Sequence, residues 1–503
     1  MRNRPGAIGG EVVTPTMAAP AARVVPTPSP MAARLIDTAS ALLLSALLLA
    51  AWRVAIGFSP SADVTPAALV WMWVMGALLI EPWIEGLQHG LDILEPKYIS
   101  YGLFLLLFWA RPLQLLTDPG SPGIAMPREP WLFERGLFVS TMAVFGFGLG
   151  YRWRMAERMA ALYPLLGSKW DARRLRRMTL VYVSIGVMAF AAAVQLVGGW
   201  QTIIGNLQGR RLFSSSGAWV VGSWKTLVDV AAALVITSSL CGRTSSRWGW
   251  LLAAVALLLT LPLGGRADIL VLVWTVCAIV YYTRVHRRVR ARTLLLVLAV
   301  LVLTSAVFVV GYRAIRVATA QGRDPLDPRL MAEAFAEFPS EFMADFEQFD
   351  WLVFVLDNVP EILPYQRGGT FLDFFVQFVP RALWPDKPLP ISFQLSVLAG
   401  GPASGTPASL AGELYINWGV AGVLVGMITF GAFVRSAYVY LLAHLDSPAA
   451  IVLYSYTLAS LHSLITRSLA QKLFGYVLFV GPLLLAWAYV TAARREEAAE
   501  ALP

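Results

Sequence analysis

Apolar runs of membrane-spanning length recur along almost the whole chain. They cover residues 35–57, 65–83, 98–116, 131–151, 178–199, 218–240, 248–264, 267–283, 293–311, 408–435, 449–466 and 472–492. Most approach the ~20 residues that carry a helix across a bilayer. Lipid offers no partner to a backbone N–H or C=O group, so such segments must satisfy their own backbone as helices. The expected fold is therefore an all-α polytopic membrane protein of about twelve transmembrane helices. Composition agrees: 57% of residues are hydrophobic and 14% charged, where soluble chains carry about a quarter charged. The runs 248–264 and 267–283 are short and joined only by Gly264, Gly265 and Arg266. That spacing suits a tight hairpin or a re-entrant pair.

Five regions follow. Residues 1–33, rich in Ala, Pro, Thr and Val, read as a disordered cytoplasmic tail. Residues 34–311 hold nine spans, and 312–410 form one large extracytoplasmic loop with short interfacial helices. Residues 411–492 hold three more spans, and 493–503 form a second tail. The first apolar run lies behind a long polar leader, so it reads as an anchor and not as a cleaved signal.

Orientation comes from the short loops. Arg152, Arg154, Arg158, Lys169, Arg173, Arg174, Arg176 and Arg177 lie in one of them, and Arg284, Arg287, Arg288, Arg290 and Arg292 in another. Twelve alternating spans put both loops and both termini on one face, which the positive-inside rule makes the cytoplasm. Much of the net charge of +9 is thereby explained without nucleic acid. The absence of an internal sequence repeat mildly disfavours inverted-repeat transporters.

Two cysteines, Cys241 and Cys277, and four scattered histidines make neither a disulfide framework nor a metal site. Neither a P-loop nor a GxGxxG, HExxH or GxSxG motif is present. No cofactor or metal is expected.

The long loop carries its own patterns. Leu330, Ala334, Phe338, Phe342, Phe346 and Phe349 share a helical face, which fits a helix on the membrane surface or capping the bundle. Thr370–Val379 is apolar but too short to span, and stops at Pro380.

Candidate functional residues gather at the expected outer ends of spans. Arg210, Arg211, Arg266, Arg313, Arg316, Arg367, Arg381 and Arg467 all lie there. Guanidinium matches phosphate oxygens in a bidentate fork, although a lone arginine at this depth can simply snorkel to headgroups. The run PRALWPDKP (380–388) presents Arg381, Asp386 and Lys387 on a proline-stiffened segment. It reads either as a braced Asp–Lys turn or as a rigid rim for a sugar or phosphate. Glu413, in GELYINWG (412–419), enters the outer end of an apolar helix, with Asn417 one turn on. It suits either a general base or a helix-terminal carboxylate satisfying free N–H groups. Lys225 and Asp229 read as an intramembrane ion pair. His462 sits near an outer helix end, as a packing residue or as a substrate contact.

This order of features resembles the bacterial O-antigen polymerase (Wzy-type) family, the oligosaccharide repeat-unit polymerases. The resemblance rests on GGRAD (264–268), YQRGG (365–369), PRALWPDKP and GELYINWG, set among many spans. It implies a metal-independent glycosyltransferase on the outer face of the bacterial plasma membrane. Such an enzyme joins oligosaccharide repeat units carried on undecaprenyl diphosphate. Glu413, Asp386 and Arg266 would then be catalytic. Arg210, Arg211, Arg313, Arg316, Arg367, Arg381, Lys387, His462 and Arg467 would bind diphosphate or glycan. A chain-length regulator and a flippase would be partners beside membrane lipid, and nucleic acid would not. The alternatives are an O-antigen ligase-like transferase and a glycolipid flippase or exporter.

Overall fold

The computed structural model describes residues 31–55, 65–89, 91–117, 129–164, 166–205, 218–241, 246–260, 266–285, 328–336, 346–377, 379, 384, 386, 388–401, 408–467 and 469–500. All regular structure among them is helical.

The first spans are α1 (Met31–Ala55), α2 (Pro66–His89), α3 (Pro96–Thr117, with a π-helical stretch at Leu105–Ala110), α4 (Pro130–Arg152) and α5 (Ala172–Leu196). Then comes α6 (Thr226–Leu240), preceded by a helical turn and a 3-10 turn at Ser223–Lys225. Shorter apolar helices α7 (Ser246–Thr260) and α8 (Arg266–Val280) follow, and α8 continues into a π turn at Tyr281–Val285. The long loop contributes α9 (Gln348–Asn358), α10 (Gly369–Gln377) and α11 (Ile391–Leu398). The chain ends in α12 (Ser409–Ala443), α13 (Pro448–Thr466) and α14 (Leu469–Glu500). Nine helices among the described residues are long and apolar enough to cross a membrane. They match nine of the twelve expected runs; α7 and α8 stand for 248–264 and 267–283, and the run 293–311 lies outside the described residues.

Local sequence explains where several spans begin. Proline opens α2, α3, α4 and α13, where its missing N–H would have had no intrahelical partner. Asp171 caps α5, its side chain accepting from the Arg173 N–H at 2.7 Å.

α4 and α12 pack through glycine over the second half of α4. Lipid gives helices no hydrophobic drive to associate, so close backbone approach supplies the contact. Gly146 and Gly150 of α4 are four apart and face α12. A Cβ on Gly146 would lie 2.9 Å from the Leu424 carbonyl, and one on Gly150 would overlap the Ile428 backbone. Gly431 of α12 returns the contact against the Phe147 carbonyl and the Tyr151 N–H.

Polar locks close both ends. At one end Asp92 accepts from the hydroxyls of Tyr281 (3.0 Å), Tyr282 (3.3 Å) and Tyr438 (2.8 Å). Tyr151 donates to Glu95 at 2.8 Å, and Tyr454 to the Leu94 carbonyl at 2.6 Å. Lys97 and Arg435 lie 3.7 and 3.6 Å from Glu95. Burial pushes the Glu95 carboxyl above the usual carboxylate range, and Lys97 pulls against it. The residue 91–95 connection is thus tied to α4, α8, α12 and α13. The basic stretch 152–177 joins α4 to α5 at this Asp92 end.

At the opposite end Arg111 of α3 grips Asp350 of α9 through Nε (3.0 Å) and Nη2 (2.6 Å), and its Nη1 donates to Gln114 at 2.9 Å. Both side chains of the pair are fully buried. Burial raises the Asp350 carboxyl, and the guanidinium pulls it back down. Phe349 and Val353 of α9 fill the space above Gly136, and Phe349 meets Phe133 edge-on at 5.2 Å. The helix over 348–358 is therefore part of the bundle core, and of the two expectations for this face the cap holds here. Residues 337–345 lie outside the described residues.

Two outcomes are expected from thermal melts of detergent-purified protein. Gly150→Leu drives a side chain into the α12 backbone, lowering stability by about 1–3 kcal/mol, whereas Gly167→Ala, with open space around it, leaves the melt unmoved. Asp350→Ala strands a buried guanidinium and costs about 3–5 kcal/mol; adding Arg111→Met recovers most of that loss.

Candidate functional site

The site is built on a broken helix. Trp418 (φ −143°, ψ 18°) and Gly419 (φ 65°, ψ −154°) interrupt α12, dividing it into residues 409–417 and 420–443. Gly419 occupies a backbone region open essentially to glycine alone. Residues 420–443 extend about 36 Å at the 1.5 Å rise of an α-helix, which already spans a bilayer. The leading half therefore folds back. A Cβ on Gly422 would stand 2.7 Å from the Leu414 carbonyl, and one on Gly426 would overlap the Leu414 side chain. In an unbroken helix positions 414 and 426 would be about 18 Å apart along the axis. The two glycines form the groove that receives the half-helix.

Breaking a helix frees carbonyls, and with Ile416 and Asn417 fully buried theirs need partners within the protein. The YQRGG turn supplies them. Gln366 and Arg367 donate their N–H groups to the Ile416 and Asn417 carbonyls at 3.0 and 3.2 Å. Asn417 completes the clasp: its Oδ1 accepts from the Gly368 N–H at 2.7 Å, and its Nδ2 donates to Thr370 Oγ1 at 2.7 Å and to the Glu413 carbonyl at 2.8 Å. The turn forces Arg367 to φ +48°, a left-handed conformation uncommon outside glycine. Its side chain is exposed.

Aromatic rings surround this turn. Trp418 stacks on Phe371 at 5.6 Å, and Tyr365 lies 6.3 Å from Tyr415. Trp418 and Tyr365 are 47% and 37% exposed, and their rings lie against Gly368 and Gly419 respectively. Arg135 of α4 donates to the Tyr415 hydroxyl at 2.6 Å, fixing the half-helix to the bundle.

Glu413 is fully buried in the half-helix. Its Oε2 accepts from the backbone N–H of Leu469, the first residue of α14. A helix N-terminus presents free donors and partial positive charge, and a carboxylate satisfies both. Glu413 thus does for α14 what a terminal carboxylate was expected to do for its own helix. The same contact brings in the α13–α14 junction, where Arg467 is half-buried and sits two residues before Leu469. His462 lies one turn back from Thr466, whose hydroxyl donates to the His462 carbonyl at 2.7 Å.

The other expected residues divide into three groups. Glu413, Arg367, Arg467 and His462 belong to elements that meet at the break. Asp386 is exposed in a turn, and Arg266 begins α8. Arg210, Arg211, Arg313, Arg316, Arg381 and Lys387 lie outside the described residues. Lys225 and Asp229 form the expected i,i+4 ion pair, at 3.0 Å.

Sequence reasoning missed Arg111 and Arg135, gave Tyr365 and Trp418 no role beyond their places in YQRGG and GELYINWG, and took α12 as an ordinary span. One signal was present: the apolar run continues to residue 443, and 35 residues would make about 52 Å of helix, far beyond a bilayer's thickness. No protein-family model, curated protein or solved structure matches the chain.

The clasp is testable by hydrogen–deuterium exchange. Asn417→Ala should speed exchange of the Gly368 amide at least tenfold, because that N–H loses its acceptor. The Gln366 amide, held by the Ile416 carbonyl, should stay slow. Equal acceleration at both would mean that the turn is not held residue by residue.

Proposed function

We propose that this chain is a multi-pass glycosyltransferase of the bacterial plasma membrane, with both termini cytoplasmic. It would polymerise oligosaccharide repeat units carried on polyprenyl diphosphate at the outer face. The observation carrying this reading is the broken helix clasped by an arginine-bearing turn between exposed rings. Broken helices gather ligand sites at membrane depth. Ring faces suit the apolar faces of sugars, and guanidinium suits diphosphate. The family resemblance falls on the same residues, YQRGG and GELYINWG. The basic stretch 152–177 lies at the opposite, Asp92 end, which the charge bias makes cytoplasmic.

The chemistry needs no nucleotide, because the glycosyl diphosphate is already activated. An acceptor hydroxyl attacks the anomeric carbon of the donor sugar. The bond from that carbon to the diphosphate oxygen breaks, and the diphosphate leaves with the electron pair. Arg367 and Arg467, with Arg266 and the remaining arginines of the outer ends, would stabilise the developing anion. The hydroxyl proton passes to a carboxylate, with Glu413 as first choice and Asp386 as second. For Glu413 to act, the half-helix must ease away from α14. A chain-length regulator and a flippase remain the partners proposed from the resemblance.

A ligase-like transfer is the second reading, favoured by His462 and Arg467 lying on the segment that leads into the Glu413-capped helix. Purified protein given a lipid-linked oligosaccharide separates these readings. A ladder of products is expected from the wild type, and Arg367→Ala should lower turnover at least tenfold. Glu413→Gln keeps an oxygen for the Leu469 N–H, so the cap survives while the proton acceptor is lost; turnover should fall about 100-fold. Full activity in Glu413→Gln would confine that residue to capping. A single block transferred only onto a lipid A–type acceptor would favour the ligase. Binding without any new glycosidic bond would sink both in favour of a flippase.

A further inference from the structure

The flank formed by α1 and α2 carries a feature that the glycan site does not use. The two helices touch deep in the bundle, where a Cβ on Gly76 would overlap the Ser45 hydroxyl. Towards the loop that joins them they part, leaving a groove of about 350 Å³. Ala46, Ala50 and Arg53 line one side, and Leu69, Val70 and Trp73 the other, with Leu49 between them. The α1 residues follow an i, i+4, i+7 stripe, so they share one helix face. Two alanines in that stripe leave the valley open.

The walls are fixed in advance. Trp73 Nε1 donates to the Leu42 carbonyl at 2.8 Å, and Ser45 Oγ donates to the Trp73 carbonyl at 2.8 Å. The groove runs about 10 Å along α1 from Ala46 to Arg53. Its mouth lies at the Asp350 end, because Trp52 donates to Thr117 Oγ1, at the last residue of α3, at 3.1 Å.

Charge and shape together specify the occupant. The lining is apolar except for a single half-buried guanidinium at the mouth. A chain lying in the valley would bring its headgroup level with Arg53. Guanidinium carries five donors, so holding a protein contact does not prevent it from binding phosphate. A zwitterionic headgroup would also bring its own cation towards Arg53, whereas an anionic one would not. We propose that this groove holds one chain of an anionic glycerophospholipid, with the headgroup phosphate bound by Arg53. Basic sites between spans bind anionic headgroups by this chemistry. A snorkelling arginine would also favour anionic headgroups, but that preference would survive filling the valley, whereas a groove-bound lipid would be lost.

The test is lipid retention by the full-length protein. It is reconstituted into vesicles of equal phosphatidylglycerol and phosphatidylcholine, re-extracted, and read by native mass spectrometry. Phosphatidylglycerol should be retained about tenfold over phosphatidylcholine, as one charge-assisted contact allows. Arg53→Gln should bring that ratio to about one, and Arg53→Lys should restore part of it. Ala50→Trp, which fills the valley, should remove the retained lipid altogether. Equal retention of both lipids by the wild type, or a preference unmoved in Arg53→Gln, would reduce the groove to ordinary lipid contact. Displacement of phosphatidylglycerol by equimolar polyprenyl phosphate, lost in Arg53→Gln, would overturn the phospholipid assignment in favour of the carrier lipid.

Discussion

A buried backbone that leaves helical geometry must find every partner within the protein, and this constraint organises the region around α12. The helix stops at Trp418 and Gly419, and the freed carbonyls of Ile416 and Asn417 are taken by the turn at 366–367. Asn417 then spends its side chain on the Gly368 N–H, Thr370 and the Glu413 carbonyl. A buried carboxylate on the half-helix in turn satisfies the first N–H of α14. Four elements meet at one break because each holds a group that another lacks. The arginine and the rings that could meet a ligand are positioned by those backbone bonds.

The rest of the bundle is held by close glycine contacts and by polar locks. Glycine at 146, 150 and 431 lets α4 and α12 approach closely over the second half of α4, down to the Asp92 lock. Ionisable residues concentrate at the two ends. The Asp92 end uses tyrosine hydroxyls and two cations around a pair of carboxylates. The Asp350 end uses one bidentate arginine pair, sealed from solvent, to bind part of the long loop to a span. Neither lock adds much net stability as an isolated pair, but breaking either leaves a buried group without its partner. Their effect is to fix which helix ends meet. Rigidity there matters for the proposed site, since Arg135 holds the half-helix through Tyr415.

The proposed transferase and the proposed lipid site use separate parts of this frame. The first depends on the break in α12 and the loop clasped to it. The second depends on α1 and α2, whose groove opens at the same end of the bundle. Both would draw on guanidinium for the same physical reason. Arginine keeps its charge at the membrane surface and presents donors in a plane that fits phosphate.

Sequence alone determined the class and most of the spans, because hydropathy and helix length are local properties that a bilayer reads segment by segment. It also marked Glu413, Asn417, Arg367 and Arg467 as unusual, since polar groups at apolar helix ends stand out wherever they occur. What it could not decide was partnership. Arg111 and Asp350 are 239 positions apart, and Arg135 and Tyr415 are 280 apart. No periodicity links such pairs. The two roles weighed for Glu413 had no local discriminator either, because the N–H that it caps belongs to another helix. The fold-back of residues 409–417 was hidden for a related reason. An apolar run looks the same whether it continues straight or turns at a glycine, and only packing against Gly422 and Gly426 makes the turn favourable.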